Sequence, residues 1–323
     1  MCLGTMRKKL EPDRINGHLM NNNVDQKVRL AAFDWLSNQI KVHGDVIPRT
    51  ILARGFEFEG KRVPLVGPQG IFKPQLLPEI PLSITTVPSG PYDDRSEEGF
   101  LLYRYRGTNP HHRDNAGLRE AMFRRTPLIY FCGIVPGKYM AIWPVYIVGD
   151  FPKKLTFKVA VDDLSYVKAD ERYGSDQTIS EAAESRRAYI TATVRQRLHQ
   201  RSFRERVLQA YRQQCACCRL RHQELLDAAH IIPDIDPDGV PEVRNGIALC
   251  KLHHAAFDSY FLAIRPDYIV EVRKDIMDEE DGPMLMHGLQ GLHHNKIVLP
   301  ISRHLFPDRT LLERRYADFR KFV

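Results

Sequence analysis

At 323 residues, with 43% hydrophobic and 27% charged residues, the chain is long enough for two domains and apolar enough to bury a core in each, which excludes a globally disordered polypeptide. No run approaches eighteen uncharged apolar residues and Met1 to Gln26 has no apolar stretch of the secretory kind, so neither a membrane span nor export is expected, and an intracellular protein is. The net charge of +7 and a pI near 9.0 favour an anionic partner without identifying it.

In chain order, residues 1–24 are polar and aperiodic and are expected to form a flexible tail. From Val24 to about His43, Val28, Leu30, Ala31, Trp35, Leu36 and Ile40 recur near helical spacing and predict one amphipathic helix. Between Ile51 and Gly149 the pattern changes to short apolar or alternating runs punctuated by glycine, which predicts β-structure, a curved sheet or barrel. A helix over Asn115 to Arg125, with Leu118, Ala121 and Met122 on one face and Pro127 beyond it, should interrupt the strands. Strands resume at Leu128 to Ile134 and Tyr139 to Val148. From Ser180 to about Gln214 the chain is rich in Ala, Arg, Glu and Gln, as suits helices that join two domains. The expected organisation is a tail at 1–24, a first domain at 25–170, a helical linker at 171–200 and a second domain at 201–323. Residues 275–323 are expected to add helix and strand beside that domain, with no chemistry of their own.

Arg186 to Arg221 holds ten arginines and one acidic residue, Glu205, so positive charge concentrates just ahead of the second domain; a nucleic-acid contact and a solvated helix face are both open. Cys215, Cys217 and Cys218 fall within four residues, which is a metal-binding pattern rather than a disulfide framework. Cys215 and Cys218 form a C-x2-C knuckle, and Cys250 and His253 a C-x2-H knuckle, with Cys217 spare. Each two-residue gap lets one tight turn aim two ligands at one ion, and two such turns complete the closed tetrahedral shell of a structural zinc. The loop-rich stretch Arg219 to Leu249, with Pro233, Pro237, Gly239 and Pro241, should then draw much of its folding free energy from the metal.

Around the knuckles lie Leu226-Asp-Ala-Ala-His230-Ile-Ile-Pro233, Arg244-Asn245-Gly246-Ile-Ala-Leu-Cys250 and His253-His254-Ala-Ala-Phe-Asp258. This ordered set resembles the HNH endonuclease family, whose fold is a β-hairpin followed by a helix around one catalytic metal. The resemblance implies strands at about Asp227 to Ile232 and Gly246 to Leu249, and a helix at about Lys251 to Ser259. It implies His230 as general base, Asn245 as the residue that fixes the hairpin and orients that base, and His254 with Asp258 as holders of a catalytic divalent cation, Mg2+ or Mn2+. His254 and Asp258, four apart, share a helix face, while His253 points about a hundred degrees away toward the zinc. Many members carry Asp directly before the catalytic histidine; here that position is Ala229, and Asp227 falls on the opposite side of an extended strand, so the ligand set is left open.

Gly90-Pro-Tyr92-Asp93-Asp94 through Tyr103-Arg-Tyr105-Arg-Gly107 resembles the SRA domain, a PUA-like curved β-barrel that binds DNA containing modified cytosine and rotates the base out of the helix. By that resemblance Tyr92 and Tyr105 are the stacking pair, and Asp94, or failing it Asp93, reads the cytosine amino group. A generic barrel in which Tyr103 and Tyr105 share a packed face is the competing reading. Joined, the two resemblances imply an α+β protein: an SRA/PUA-like barrel, a helical linker and a zinc-bearing ββα-metal HNH domain. The implied activity is a modification-dependent restriction endonuclease acting on double-stranded DNA with methylated or hydroxymethylated cytosine. A homodimer is expected, because one such site cuts one strand at a time. An HNH nuclease with a reader of another kind and a non-cutting zinc-stabilised DNA-binding protein are the alternatives.

Overall fold

The computed structural model describes residues 12–77, 79–88, 100–162, 181–280 and 282–322, which divide into two compact units, 1–196 and 197–323.

In the first unit, helix α1 (Pro12–His43) begins well before Val24, with Pro12 at its first position, where a fixed φ and a missing N–H cost nothing. The tail expected over 1–24 is therefore helical from residue 12, and residues 1–11 lie outside the described part. Val28, Ala32, Phe33 and Leu36 bury one face of α1. Arg29, also buried, pairs with Asp25 at 2.5 Å and donates to the carbonyls of Ile80, Pro81 and Pro127, which ties α1 to two loops.

After β1 (Val46–Pro48), α2 (Arg49–Arg54), β2 (Phe56–Phe58) and β3 (Lys61–Val63) comes the main sheet. Its strands are β4 (Ile71–Phe72), β5 (Ser83–Thr86), β6 (Leu101–Arg104), β7 (Leu128–Val135), β8 (Lys138–Phe151) and β9 (Thr156–Val161). They run in the order β4-β5-β7-β8-β9-β6, with β1 also on β8; β5 and β7 are parallel and the other pairs antiparallel. Every residue of β7 is buried, as its unbroken apolar run requires of a central strand. Register shifts in the β7/β8 and β8/β9 pairs mark bulges, which bend the sheet into a half-barrel. Helix α3 (Arg113–Phe123) interrupts the strands where the sequence predicts, capped by the His112 ring accepting from the Asp114 N–H. The result is a mixed α+β unit with a curled sheet, as expected; its identity as an SRA domain is a separate question.

Helix α4 (Glu181–Ala210) is one element in place of the several helices expected, and the division between units falls within it. The second unit continues with β10 (Leu226–His230), β11 (Gly246–Cys250), α5 (Lys251–Asp258), β12 (Leu262–Ile264), β13 (Val270–Val272), α6 (Lys274–Met277), α7 (Pro283–Gly288) and α8 (Arg309–Phe319). Phe203 and Val207 of α4, and Tyr211 just beyond its end, pack with Ile231, Ile247, Leu249, Phe257 and Leu312 in one core. The stretch 219–249 thus contributes both hairpin strands to an apolar interior, and packing carries more of its stability than its proline-rich loop suggests. The elements after residue 270 supply the wall of that core, including Leu292, Ile297 and Leu312.

Candidate active site

Strands β10 and β11 pair antiparallel, with Leu226 opposite Cys250 and His230 opposite Gly246, so one end of the hairpin meets the cysteines and the other carries the histidine. At the first end, Cys215 to Arg219 form a tight turn closed by Arg219 N–H to Cys215 O at 3.0 Å. Arg219 takes a left-handed φ of 63° there, and Ala216 N–H donates to Ala248 O at 2.7 Å, which fastens the turn to β11. Cys250 ends β11 and His253 lies in the first turn of α5.

Ligand atoms of Cys215, Cys218, Cys250 and His253 all lie within 4.8 Å of one another, the one such group among the described residues. His253 Nδ1 is 3.4 Å from Cys215 Sγ and 3.1 Å from Cys250 Sγ, and the Cys218 and Cys250 sulfurs are 3.9 Å apart. Tetrahedral zinc with ordinary bond lengths sets sulfur–sulfur edges near ~3.8 Å and sulfur–nitrogen edges near ~3.6 Å, so the donor set fits that ion. The other ring nitrogen of His253, Nε2, donates to Gly288 O at 2.7 Å, which leaves the Nδ1 lone pair facing the sulfurs, the tautomer a metal ligand needs. The Cys250 thiol is pulled far down by hydrogen bonds from Cys215 and Cys218, while Cys217 and then Cys250 push Cys215 up, and Cys215 and Cys250 push Cys218 up. Such a set readily exchanges its shared protons for one divalent cation. Cys217, the spare thiol, is partly buried against the core.

At the other end, His230 closes β10, and its ring stacks on Phe203 of α4 with centroids 4.0 Å apart and planes 13° apart. Its Nε2 is buried and has no hydrogen-bond partner. Burial is the largest influence on this imidazole and holds its pKa below the ordinary value, against the opposing pull of Asp234, Asp258 and Asp227. Asn245, buried in the turn before β11, accepts from the Ile232 N–H at 2.9 Å and donates to the carbonyls of Ile232 at 2.9 Å and Val240 at 3.1 Å. Its amide spans the mouth of the hairpin loop just past His230.

Helix α5 separates its two histidines as the helical angle requires: His253 faces the cysteines, and His254 lies between two carboxylates. His254 Nε2 is 3.2 Å from Asp258 Oδ2, and its Nδ1 is 3.6 Å from Asp227 Oδ2. These contacts, Asp227 first and Asp258 second, raise the His254 pKa to about 9. Burial works to raise the Asp227 carboxyl, but His254 and Arg204, whose Nε is 3.5 Å away, hold it below the usual carboxylate value. A side chain on the strand face opposite His230 thereby reaches α5, and Asp227 stands where a carboxylate would orient His254 and leave Nε2 for an ion. His254 Nε2 and Asp258 Oδ2 offer one nitrogen and one oxygen on a common side, which suits a hard cation that keeps water and substrate oxygens as its remaining ligands.

Two further residues had no signal in the motifs. Arg315 of α8, almost fully buried, donates to Ile231 O at 3.1 Å and Phe257 O at 2.8 Å, lies over the Phe257 ring at 3.9 Å, and is 3.6 Å from Asp258 Oδ1. Phe203 is the other; only its place in the arginine-rich stretch marked it.

In the first unit, Tyr92, Asp93 and Asp94 lie outside the described residues. Tyr105 is 7% exposed; its ring lies 4.5 Å from that of Phe157, its hydroxyl donates to Asp150, and Arg119 donates to that hydroxyl at 3.0 Å and to Asp150 at 2.6 Å. Tyr103 is buried too, its hydroxyl 3.4 Å from Thr85 O. A cleft of about 720 Å³ opens between α3 and β4, lined by Phe72, Lys73, Glu79, Arg113, Glu120 and Arg124 among others, and neither tyrosine lines it.

Residues 215–265 match a family model described as HNH endonuclease, and the match takes in both knuckles, the hairpin and α5. The chain thus carries an HNH nuclease domain. Among solved structures it is similar to one titled "Modification dependent TagI restriction endonuclease", at 16% identity and a TM-score of 0.26, over 74% of this chain and 82% of that one. No curated protein matches it. No described helix is long and apolar enough to cross a membrane.

Proposed function

We propose that the chain is a modification-dependent DNA endonuclease, in which His230 acts as general base and His254 and Asp258 hold a catalytic divalent cation. The observation that carries the nuclease half is the placement of a desolvated imidazole on the strand end beside the His254–Asp258 pair, in a hairpin and helix clamped by three cysteines and a histidine. A neutral imidazole, favoured by burial, takes the proton of the attacking water as the phosphodiester bond is broken. Asn245 keeps the hairpin loop from moving against the base, and Asp227 holds the His254 ring with Nε2 outward. Bound Mg2+ or Mn2+ would supply charge neutralisation at the phosphate and the leaving oxygen. The zinc set, Cys215, Cys218, Cys250 and His253, fixes the start of α5 and so the reach of His254.

For the reader half, the proposal assigns the extruded base to Tyr92 and Tyr105, with Asp94 or Asp93 on the cytosine amino group. Tyr105, backed by Phe157 and tied through its hydroxyl to Asp150 and Arg119, would be a fixed wall for such stacking. A homodimer would give the two cuts of a double-strand break. The decisive assay compares unmodified, methylated and hydroxymethylated duplexes of one sequence, with Mg2+ and Mn2+ varied, for wild type and His230→Ala. Cutting confined to a modified duplex and lost in the variant is expected. Equal cutting of all three would remove the modification claim, and wild-type cutting by the variant would remove the base.

A further inference from the structure

We infer that Phe203 is the positioning residue for the proposed base, and that Gly246 is a glycine because Phe203 must occupy the space a side chain would take. The inference rests on the assignment of His230 above and extends it. An imidazole that works as a base is ordinarily oriented by a hydrogen bond at its second nitrogen. Here Nε2 is buried with no partner among the described residues, so no bond at that atom sets the ring plane. What meets the ring instead is a near-parallel aromatic face: 4.0 Å between centroids, 13° between planes, with Phe203 itself 2% exposed and held among Val207, Leu208 and the hairpin strands. A face-on stack resists tilting of the imidazole and leaves its edge free to meet water and phosphate.

Gly246 supplies the second observation. It is the cross-strand partner of His230. Its φ is −131° and its ψ 144°, ordinary extended backbone that any residue adopts, so its conformation does not call for glycine. Space does: a Cβ there would lie 2.5 Å from Val207 Cγ2, 2.8 Å from Phe203 Cζ and 3.0 Å from Phe203 Cε2. Any side chain at 246 would push α4 and its phenyl ring off the histidine. Phe203, Gly246 and His230 thus form one device, drawn from a helix and two strands, that aims the base by shape rather than by hydrogen bonding.

The test uses the full chain with its zinc, the duplex that wild type cuts best, and Phe203→Leu, Gly246→Ala and His230→Ala. Phe203→Leu keeps apolar volume and removes the flat face; it should lower the single-turnover rate at saturating DNA about tenfold or more, with DNA affinity unchanged. Gly246→Ala should behave like Phe203→Leu, and Phe203→Leu should cost nothing further when His230 is already alanine. In parallel, the His230 ring proton signal, identified by its loss in His230→Ala, should be shifted upfield by the phenyl ring in wild type and return to the ordinary histidine range in Phe203→Leu. Undiminished cutting by Phe203→Leu, an added loss from Phe203→Leu in the His230→Ala background, or an unshifted His230 signal in wild type would overturn the inference. Should Phe203→Leu lose its zinc, the wild-type signal and the Gly246→Ala rate decide it. Cutting by His230→Ala at the wild-type rate would remove the parent assignment and this inference together. Loss of cutting in His230→Ala beside an intact Phe203→Leu would remove this inference alone.

Discussion

Asn245→Ala deletes three hydrogen bonds at once, those to the Ile232 N–H, the Ile232 carbonyl and the Val240 carbonyl. Val240 is exposed and its carbonyl can turn to water, but Ile232 is buried, and both of its backbone groups would be left without partners. At about 1–3 kcal/mol for each buried orphan, the loss is about 3 kcal/mol, and for a unit of this size that lowers Tm by roughly 10 °C. Asn245→Asp sharpens the test: its oxygen can still accept from Ile232 N–H, while a carboxylate oxygen replaces the donor that faces two carbonyls. It should therefore be at least as destabilising as alanine at neutral pH and recover in part in acid, where a protonated carboxyl donates once. Thermal unfolding of zinc-loaded protein, followed beside DNA cleavage, measures both. An Asn245→Ala protein with unchanged Tm and unchanged cutting would refute the view that this amide holds the loop beside His230.

His254, with its pKa raised to about 9 by Asp227 and Asp258, is protonated at neutral pH, so a divalent cation must displace that proton. Mn2+ affinity should therefore rise about tenfold per pH unit up to about pH 9 and then level off, and calorimetry in two buffers should register one proton released; a flat pH dependence would show that the ion does not bind this nitrogen. Elemental analysis should find one zinc per chain, and a strong chelator, or Cys250→Ser, should abolish cutting in a way added Mg2+ does not reverse, with the far-UV circular dichroism of the protein altered. Arg315→Met leaves the Ile231 carbonyl unpaired, while the Phe257 carbonyl keeps the Tyr260 N–H at 3.3 Å, and should cost about 1–3 kcal/mol by denaturant titration; Arg315→Lys should not rescue it fully, because one ammonium lacks the fork that spans both oxygens.

The hairpin, the knuckles and α5 could be read in the sequence because each depends on spacings of a few residues: two between ligands, four between His254 and Asp258, alternation along β10. The helical angle alone separated His253 from His254. Phe203 and Arg315 were silent because nothing local distinguishes a phenylalanine that stacks on a histidine 27 positions later, or an arginine that reaches back to Phe257. Asp227 shows the same limit from the other side. Strand alternation correctly put it across from His230, but only the packing of α5 against β10 turns that position into a partner for His254. The early start of α1 went unseen because residues 12–23 carry too few apolar side chains to show a period. In the first domain the curled sheet followed from its apolar runs and glycines, whereas the burial of Tyr103 and Tyr105 depends on packing that alternation does not reveal.

On the proposed assignment, two adjacent histidines on one short helix would serve two different ions, and they share a single rigid peptide unit. Any cation in the cysteine cluster with longer bonds than zinc would have to shift His253, and the displacement would pass through that peptide to its neighbour with almost no slack. Cadmium in place of zinc is therefore expected to leave the protein folded yet detune the remote Mn2+ site, so the identity of an atom that never meets DNA would be legible in how well DNA is cut.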